Sequence, residues 1–381
     1  MKNSLRSALV QRNWSGPAQG GSRTPRHARR AVSRAKGIRG ARAAGLAFLL
    51  AVTAATIGGA TYLVTQLAGP PQQRPSAQVP PVARRSTPPS PHVTPASPIP
   101  AGTPGEYQVA EQWFTFTESS ASLGTRTLQV DVRFPDTQPS AAAAPSAGRQ
   151  RFPLVVFAPG YRQCSGSYSD LLSEWASAGY VVAGVNFPRT NCNAAYPDES
   201  DLVNQPGDVA FVIGRLVTLS GEGQGALAGL IDASRVAVAG HSDGGDTVAA
   251  MAAMSCCRYP GLRAVIVLAG AEWPAFAGNW FDAPTPPMLF VQAAADTVNP
   301  PAASLQLYQA DSTGVRYYLN LLGSDHLAPY EGDGSPEPIV EQVTIDFLNQ
   351  YLAGRGTGPG AMQSAGNVAG VAQLVDSGTL P

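Results

Sequence analysis

The chain has 381 residues, with 26 Lys and Arg side chains balanced by 26 Asp and Glu, and only 14% of its residues are charged. Globular domains usually reach roughly 25%, so this low and balanced charge argues against a disordered polyelectrolyte and against a basic nucleic-acid-binding protein. The length allows one large domain with appendages, or two ordinary domains.

The charge is divided along the chain. The first 42 residues carry 11 basic side chains, and no acidic residue precedes Glu106. Arg74, Arg84 and Arg85 bring the basic count before Glu106 to 14, which leaves residues 106–381 with a net charge of −14. The overall neutrality is therefore the sum of a basic N-terminal part and an acidic remainder.

Residues 43–68 read AAGLAFLLAVTAATIGGATYLVTQLA, a mostly apolar run without a charge, and a membrane-spanning helix needs roughly 20 such residues. We interpret 1–42 as a basic cytoplasmic segment and 43–68 as a transmembrane anchor, because basic residues mark the cytoplasmic flank. Contact with anionic lipid explains the basic segment more simply than nucleic acid, so no nucleic-acid partner is expected. The alternative is a cleaved secretory signal, whose apolar core is usually shorter.

Residues 69–105 are rich in Pro, Ser, Ala and Thr and are typical of a semi-rigid spacer that cannot form a core. Residues 106–354 are long enough for one hydrophobic core. We expect residues 355–381, rich in Gly, Ala and Ser, to form a flexible tail. Under the anchor interpretation, 106–354 is an extracytoplasmic domain of a single-pass membrane protein; under the alternative it is secreted.

Short apolar runs bounded by turn residues alternate with helical patterns across 106–354. Strands are predicted at Gln112–Thr117, Thr127–Phe134, Leu154–Phe157, Val181–Val185, Val236–Ala239, Ala264–Ala269, Met288–Ala293 and Val315–Leu322, and helices at Tyr168–Ala178, Gly207–Thr218, Gly244–Ser255, Ala302–Ala310 and Pro338–Leu352. The inner strands are apolar on both faces, as in a parallel sheet covered by helices. The pattern predicts a doubly wound, mostly parallel eight-stranded α/β sheet.

Residues 236–245 read VAVAGHSDGG, an apolar strand that runs through a G-x-S-x-G motif into a helix of small residues. In this strand-turn-helix context the motif is typical of a nucleophile elbow, which exposes the Oγ of Ser242. A nucleophilic serine needs a base. Of the four histidines, His27 and His92 lie in the head and spacer, and His241 adjoins the nucleophile and is expected to be a packing residue. His326 is therefore the candidate base.

The third member of such a triad orients the imidazole. Asp296 ends the strand MLFVQAAAD, and the order Ser242, Asp296, His326 is that of α/β-hydrolases. An oxyanion hole needs two backbone N–H donors. We expect them at Asp243, which follows the nucleophile, and at Tyr161 in the loop after the third strand. The carboxylate of Asp243 would oppose an oxyanion, so its side chain is expected to point away.

These residues resemble the α/β-hydrolase superfamily, and most of all the group of cutinase-type polyester hydrolases, chlorophyllase-like and platelet-activating-factor acetylhydrolase-like enzymes. The resemblance rests on APGY at 158–161, GHSDGG at 240–245, Asp296-x-x-x-Pro300 and SDH at 324–326. In polyester hydrolases a Trp after the sixth strand lines the acyl site, and the resemblance suggests Trp273 for that substrate-binding role. Those enzymes usually carry Met where this chain has Asp243.

Only residues 270–286 separate the sixth and seventh predicted strands, so no large lid is expected and the site should be open.

Cys164 and Cys192 follow neighbouring strands at one sheet edge, which favours a disulfide between them if the domain is outside the membrane. Cys256 and Cys257 could form a vicinal bridge, pair elsewhere or remain free. No metal site is expected, because no histidine accompanies the cysteines in the sequence.

The sequence thus predicts a serine carboxylesterase or lipase-like hydrolase that forms an acyl-enzyme on Ser242, without a cofactor. Its partners would be a small or polymeric ester and the membrane that holds 43–68. The alternatives are an acyltransferase or peptidase that uses the same triad, and a non-catalytic surface binding protein.

Overall fold

The computed structural model describes residues 104–120, 122–137, 150–223, 225–332, 336–356 and 358–377. Within these ranges no helix is long and apolar enough to cross a membrane. The predicted basic segment, anchor and nearly all of the spacer, residues 1–103, lie outside the described part, so those interpretations remain predictions.

In the described part of the chain, nine strands form a single sheet. They are β1 Val109–Ser120, β2 Gly124–Pro135, β3 Phe152–Ala158, β4 Val181–Asn186, β5 Ile231–His241, β6 Leu262–Leu268, β7 Met288–Ala293, β8 Arg316–Leu321 and β9 Ala372–Asp376. Their spatial order is β1-β2-β4-β3-β5-β6-β7-β8-β9. The six strands from β4 to β8 are parallel, while β1, β2 and β9 are antiparallel to their neighbours. The predicted mostly parallel α/β sheet is confirmed.

Six α-helices among the described residues cover the two faces of the sheet. They are α1 Ser169–Ser177, α2 Gln205–Gly221, α3 Asp243–Ala253, α4 Pro301–Ala310, α5 Glu337–Leu348 and α6 Pro359–Gly366. Alternate residues of the central strands face opposite sides: Val156 packs in the core formed with α2, α3 and α4, and Val155 in the core formed with α1, α5 and α6. Both faces are therefore buried, as the continuous apolar runs predicted.

The prediction of a flexible tail over 355–381 is wrong for residues 359–376. Strand β9 pairs with β8 from Ala372 to Asp376 and adds a ninth strand to the predicted eight. Leu374 of β9 is 5% exposed, and Met362 of α6 is fully buried in the same core. The small-residue composition concealed this because only a few apolar side chains, at spaced positions, hold both elements on the sheet.

The turns that build the site follow the carboxyl ends of the parallel strands, where open α/β sheets bind ligands. Residues 269–287, between β6 and β7, contain no helix. Trp280 of this segment forms an isolated antiparallel β-bridge with Met254. The absence of a large lid in this segment agrees with the prediction.

Candidate active site

Ser242 occupies the tight turn between β5 and α3. Its backbone has φ 54° and ψ −123°, a conformation that costs a non-glycine residue free energy and is characteristic of functional turns. A Cβ at Gly240 would collide with the carbonyl of Gly244, and one at Gly244 would collide with the carbonyl of Ala158. Glycine at both positions lets β3, β5 and α3 approach closely enough to form the turn.

His326 links Ser242 to Asp296. Its Nε2 lies 3.0 Å from Ser242 Oγ, and its Nδ1 lies 2.7 Å from Asp296 Oδ2. The three residues come from the turns after β5, β7 and β8, and each is less than a tenth exposed. A hydrogen-bonded Ser-His-Asp arrangement of this kind can activate a serine hydroxyl and stabilise the imidazolium that results.

The carboxylate of Asp296 is held by donors on its own loop and on the preceding strand β7. Its Oδ1 accepts hydrogen bonds from the backbone N–H groups of Val298 and Asn299 at 2.8 and 2.9 Å. The side-chain amide of Gln292 donates to Oδ2 at 3.1 Å. These hydrogen bonds hold the carboxylate in the orientation in which Oδ2 contacts Nδ1 of His326.

His241 is a bridge within the site as well as a packing residue. The hydroxyl of Tyr168 lies 2.9 Å from its Nδ1, and its Nε2 lies 2.9 Å from the backbone carbonyl of His326. The N–H of Gly160 in turn donates to the Tyr168 hydroxyl at 3.3 Å. Burial, together with the positive charge that His326 can carry, lowers the pKa of His241 to about 3. The ring is therefore neutral and joins the loop after β3 to the loop that carries His326.

A cavity of about 330 Å³ opens over Ser242. Its lining residues are Gly160, Tyr161, Gln163, Glu199, His241, Ser242, Asp243, Val298, Asn299, His326 and Leu327. Both predicted oxyanion donors, Tyr161 and Asp243, are among them. Asp243 is the first residue of α3, so its N–H has no partner within the helix and lies at the positive end of the helix dipole.

The side chain of Asp243 is 7% exposed, and its Oδ2 accepts no hydrogen bond from the described residues. Burial and the nearby carboxylate of Glu199 raise the pKa of Asp243 to about 7. Asp246, one turn further along α3, is also buried; its Oδ1 accepts from the N–H of Ala271, and burial raises its pKa well above the ordinary value. Two buried carboxyl groups with raised pKa values thus lie beside the nucleophile, and Asp243 is ionised only above about pH 7.

Trp273 is not among the residues that line the cavity. It packs, partly buried, against a small cluster formed by Leu202, Ala250, Met254 and Phe276. The segment after β6 folds back onto α3, so Trp273 lies outside the lining of this cavity, and its substrate-binding role stays a prediction. Glu199 does line the cavity and was missed, since nothing in the local sequence shows which way its segment turns.

Both pairs of cysteines are bonded. The predicted Cys164–Cys192 disulfide is present, with a Cα–Cα distance of 5.3 Å, and it joins the loops that follow β3 and β4. Cys256 and Cys257 form a vicinal bridge just beyond α3, one of the three options left open by the sequence.

The sequence is similar to one protein family and to several known hydrolases. Residues 141–355 match the PET hydrolase-like family. Cutinase 2 of Thermobifida cellulosilytica is 27% identical over 201 residues, which make up 52% of this chain and 68% of the relative. Cutinase cut1 of Thermobifida fusca has the same identity over 52% of this chain and 56% of its own length. A bis(hydroxyethyl) terephthalate hydrolase of Streptomyces coelicolor is 28% identical over 203 residues, 53% of this chain and 57% of the relative.

Proposed function

The chain belongs to the PET hydrolase-like family, and from that membership we propose that it cleaves carboxylic esters through an acyl-enzyme on Ser242. The cutinase and terephthalate-ester hydrolase relatives support an ester-bond hydrolase in general. The observation that carries the specific assignment is the continuous path of hydrogen bonds from Ser242 Oγ through the His326 ring to Asp296, at 3.0 and 2.7 Å.

In the proposed mechanism, Ser242 Oγ attacks the ester carbonyl carbon while its proton passes to His326 Nε2. The backbone N–H groups of Tyr161 and Asp243 stabilise the oxyanion, and Asp296 stabilises the imidazolium. The carbon–oxygen bond to the alcohol breaks as His326 returns the proton to the leaving oxygen. Water, deprotonated by the same Nε2, then attacks the acyl-enzyme, and the acid departs as Ser242 regains its proton. These steps require no cofactor.

The test uses the full-length protein with p-nitrophenyl acetate and butyrate. Ser242→Ala should lower kcat by several orders of magnitude, because both half-reactions use its oxygen. Ser234→Ala, at an exposed serine on β5, serves as the matched control and should retain full activity. A Ser242→Ala variant as active as the control would disprove the assignment. Failure of a fluorophosphonate to label Ser242 would instead favour the non-catalytic binding protein.

The same triad could transfer the acyl group to an acceptor other than water. Adding an alcohol or an amine to the assay and identifying the products by mass spectrometry distinguishes the two reactions. Predominant transfer at millimolar acceptor would identify an acyltransferase, whereas a free acid product supports hydrolysis.

We also propose that residues 43–68 anchor the enzyme in a membrane, with 1–42 in the cytoplasm and the catalytic domain outside. The 11 basic side chains before residue 43 and the uncharged run that follows support this orientation. The Cys164–Cys192 disulfide is compatible with an oxidising compartment. Membrane fractionation with N-terminal sequencing tests it: release of a chain that begins near residue 69 would identify a cleaved signal instead.

A further inference from the structure

The cavity over Ser242 is acidic. Glu199 and Asp243 both line it, and among its lining residues, all of which lie in the described part of the chain, none is Lys or Arg. Asp246 lies behind Asp243 on the same helix, and burial raises its pKa, so the negative charge in the cavity comes from Glu199 and Asp243. An anionic ester would meet repulsion here, while a positively charged group would be attracted.

Among the described residues, the carboxylate of Asp243 lacks the arginine partner that the buried carboxylates of Asp201 and Asp208 have. Asp201 and Asp208 share Arg126, with nitrogen–oxygen distances of 2.8 and 2.5 Å. The Oδ2 of Asp243 accepts no hydrogen bond from the described residues, and the carboxylate of Glu199 raises its pKa further. With a pKa of about 7, this carboxyl group is ionised only above neutral pH, where a buried carboxylate without a counter-charge is costly. A cationic group of a ligand in the cavity would supply that counter-charge.

Hydrogen bonds hold the backbone segment that carries Glu199 in place. It begins a 3₁₀ turn, Glu199–Asn204, and the preceding Asp198 caps the turn through the N–H of Ser200. Within the turn, Asp201 accepts two hydrogen bonds from the guanidinium of Arg126, both at 2.8 Å.

The next residue after the turn, Gln205, accepts a hydrogen bond from Thr247 of α3 at 2.7 Å. This contact fixes the turn against the helix that carries Asp243. Glu199 thus lines the cavity from a fixed backbone, which preorganises it beside Asp243, the other acidic lining residue.

We infer that Glu199 and Asp243 form an acidic subsite beside Ser242 that selects esters carrying an organic ammonium group. This inference rests on the proposed esterase function and names its substrate class. In the described residues no three His, Cys, Asp or Glu side chains are grouped so as to hold a metal ion, whereas a monovalent ammonium needs no such coordination and can pair with two carboxylates.

The experiment compares three thioesters of similar size with the full-length protein: acetylthiocholine, its uncharged carbon isostere 3,3-dimethylbutyl thioacetate, and the anionic 2-sulfonatoethyl thioacetate. Released thiol is measured at pH 8 and low ionic strength. We expect kcat/KM for the cationic ester to exceed that of the neutral isostere about tenfold or more, with the anionic ester lowest. Equal values for the cationic and neutral esters overturn the inference and leave the esterase assignment intact; hydrolysis of none of them counts against the esterase itself.

Two isosteric variants remove the charges singly. Glu199→Gln and Asp243→Asn should each reduce the cationic-to-neutral ratio by about threefold to tenfold, and Asp243→Asn keeps the backbone N–H of the proposed oxyanion hole. Glu222→Gln changes net charge equally at an exposed position beyond the end of α2 and should leave the ratio unchanged. If Glu222→Gln lowers the cationic-to-neutral ratio equally, the preference arises from the net charge of the protein, and the inference is overturned.

Choline provides a second readout that does not depend on turnover of a charged ester. It should inhibit hydrolysis of the neutral isostere competitively, and Glu199→Gln should raise its inhibition constant severalfold. The inhibition should also weaken in 0.5 M NaCl, because screening acts on partly exposed charges. Inhibition by choline that Glu199→Gln leaves unchanged contradicts the subsite, even if Asp243→Asn fails to fold.

Discussion

The side chain of His241 donates its Nε2–H to the backbone carbonyl of His326, with 2.9 Å between nitrogen and oxygen. A carbonyl oxygen can only accept, so the proton of the neutral ring resides on Nε2 and the free Nδ1 accepts from the hydroxyl of Tyr168. Burial raises the pKa of Tyr168, which keeps that hydroxyl protonated. The residue before the nucleophile therefore fixes the backbone of the proposed base.

Substitutions at His241 should act on kcat more than on KM. His241→Gln preserves a donor for the His326 carbonyl and loses the acceptor for Tyr168, while His241→Leu loses both. We expect kcat to fall about fivefold for Gln and about 10- to 100-fold for Leu, since an unsatisfied buried polar group costs about 1–3 kcal/mol. Steady-state kinetics on a neutral ester measure this. A Leu variant with unchanged kcat would show that the bridge does not position His326.

Tyr168→Phe separates the two halves of the bridge. It removes the hydroxyl that binds Gly160 and His241 but leaves the contact between His241 and His326. We expect a smaller fall in kcat than for His241→Leu, and in the double variant the two effects should be less than additive because they act through one chain of hydrogen bonds. Additive effects in this double-mutant cycle would argue for independent roles.

The stability of the protein should depend on pH through Asp243. An ordinary Asp loses its proton near pH 4, whereas folded Asp243 holds it up to about pH 7. The folded state thus binds more protons between these values, and stability falls as the pH rises through that window. Asp243→Asn should raise Tm by several degrees at pH 8 and by much less at pH 4, given about 2–4 °C for each kcal/mol. Differential scanning fluorimetry at both pH values provides the measurement.

Asp325 serves as a control, because its pKa is shifted in the opposite direction from that of Asp243. Its carboxylate accepts hydrogen bonds from the N–H groups of Leu327 and Ala328, which lower its pKa. Its contribution to stability is present at neutral pH and is lost on acidification through the folded pKa. Asp325→Asn should therefore lower Tm slightly at pH 8. A rise in both variants would indicate a general effect of reduced negative charge.

The two disulfides should differ in what they contribute to stability. Cys164 and Cys192 are 28 residues apart, and closing a loop of that size stabilises by roughly 3–4 kcal/mol in the chain-entropy account. The Cys164→Ser/Cys192→Ser variant should lose about 7–14 °C in Tm. The Cys256–Cys257 bridge joins adjacent residues and closes almost no loop, so its double serine variant should change Tm far less. Equal losses would refute the entropic explanation.

Strand β9 should contribute to stability despite its peripheral position. Leu374 is buried on β9, whereas its neighbour Gln373 is exposed. Leu374→Ala should cost about 2–4 kcal/mol, which corresponds to a fall of several degrees in Tm, because it leaves a cavity beside β8. Gln373→Ala on the same strand should have little effect. If the two variants melt alike, β9 does not contribute to the cooperative unit.

The elements predicted from the sequence were those with a strong local signal. The apolar strands and the G-x-S-x-G turn depend on contiguous residues, and the scarcity of histidines singled out His326. All eight predicted strands and five predicted helices are present, with boundaries shifted by a few residues. Strand β9 was missed because its signal consists of a few apolar residues in a small-residue background.

The parts of the site that the sequence did not reveal depend on distant contacts. The partners of His241 come from α1's N-terminal end and from the loop after β8, 73 and 85 residues away. Glu199 lines the cavity because Asp201 binds Arg126, 75 residues earlier. Trp273 packs against a cluster that includes Leu202 of the 3₁₀ turn Glu199–Asn204. No local pattern encodes such pairings, so a single sequence could not supply them.

The nucleophile turn has a consequence for how this enzyme can change. Gly240 and Gly244 admit no side chain, Ser242 carries the proposed chemistry, and His241 is committed to two hydrogen bonds. Position 243 alone in this pentapeptide has a side chain that the architecture does not require. Substitutions at position 243 can therefore change substrate preference while the turn is retained. A saturation library at this position, screened on charged and neutral esters, would show how far the motif can alter specificity.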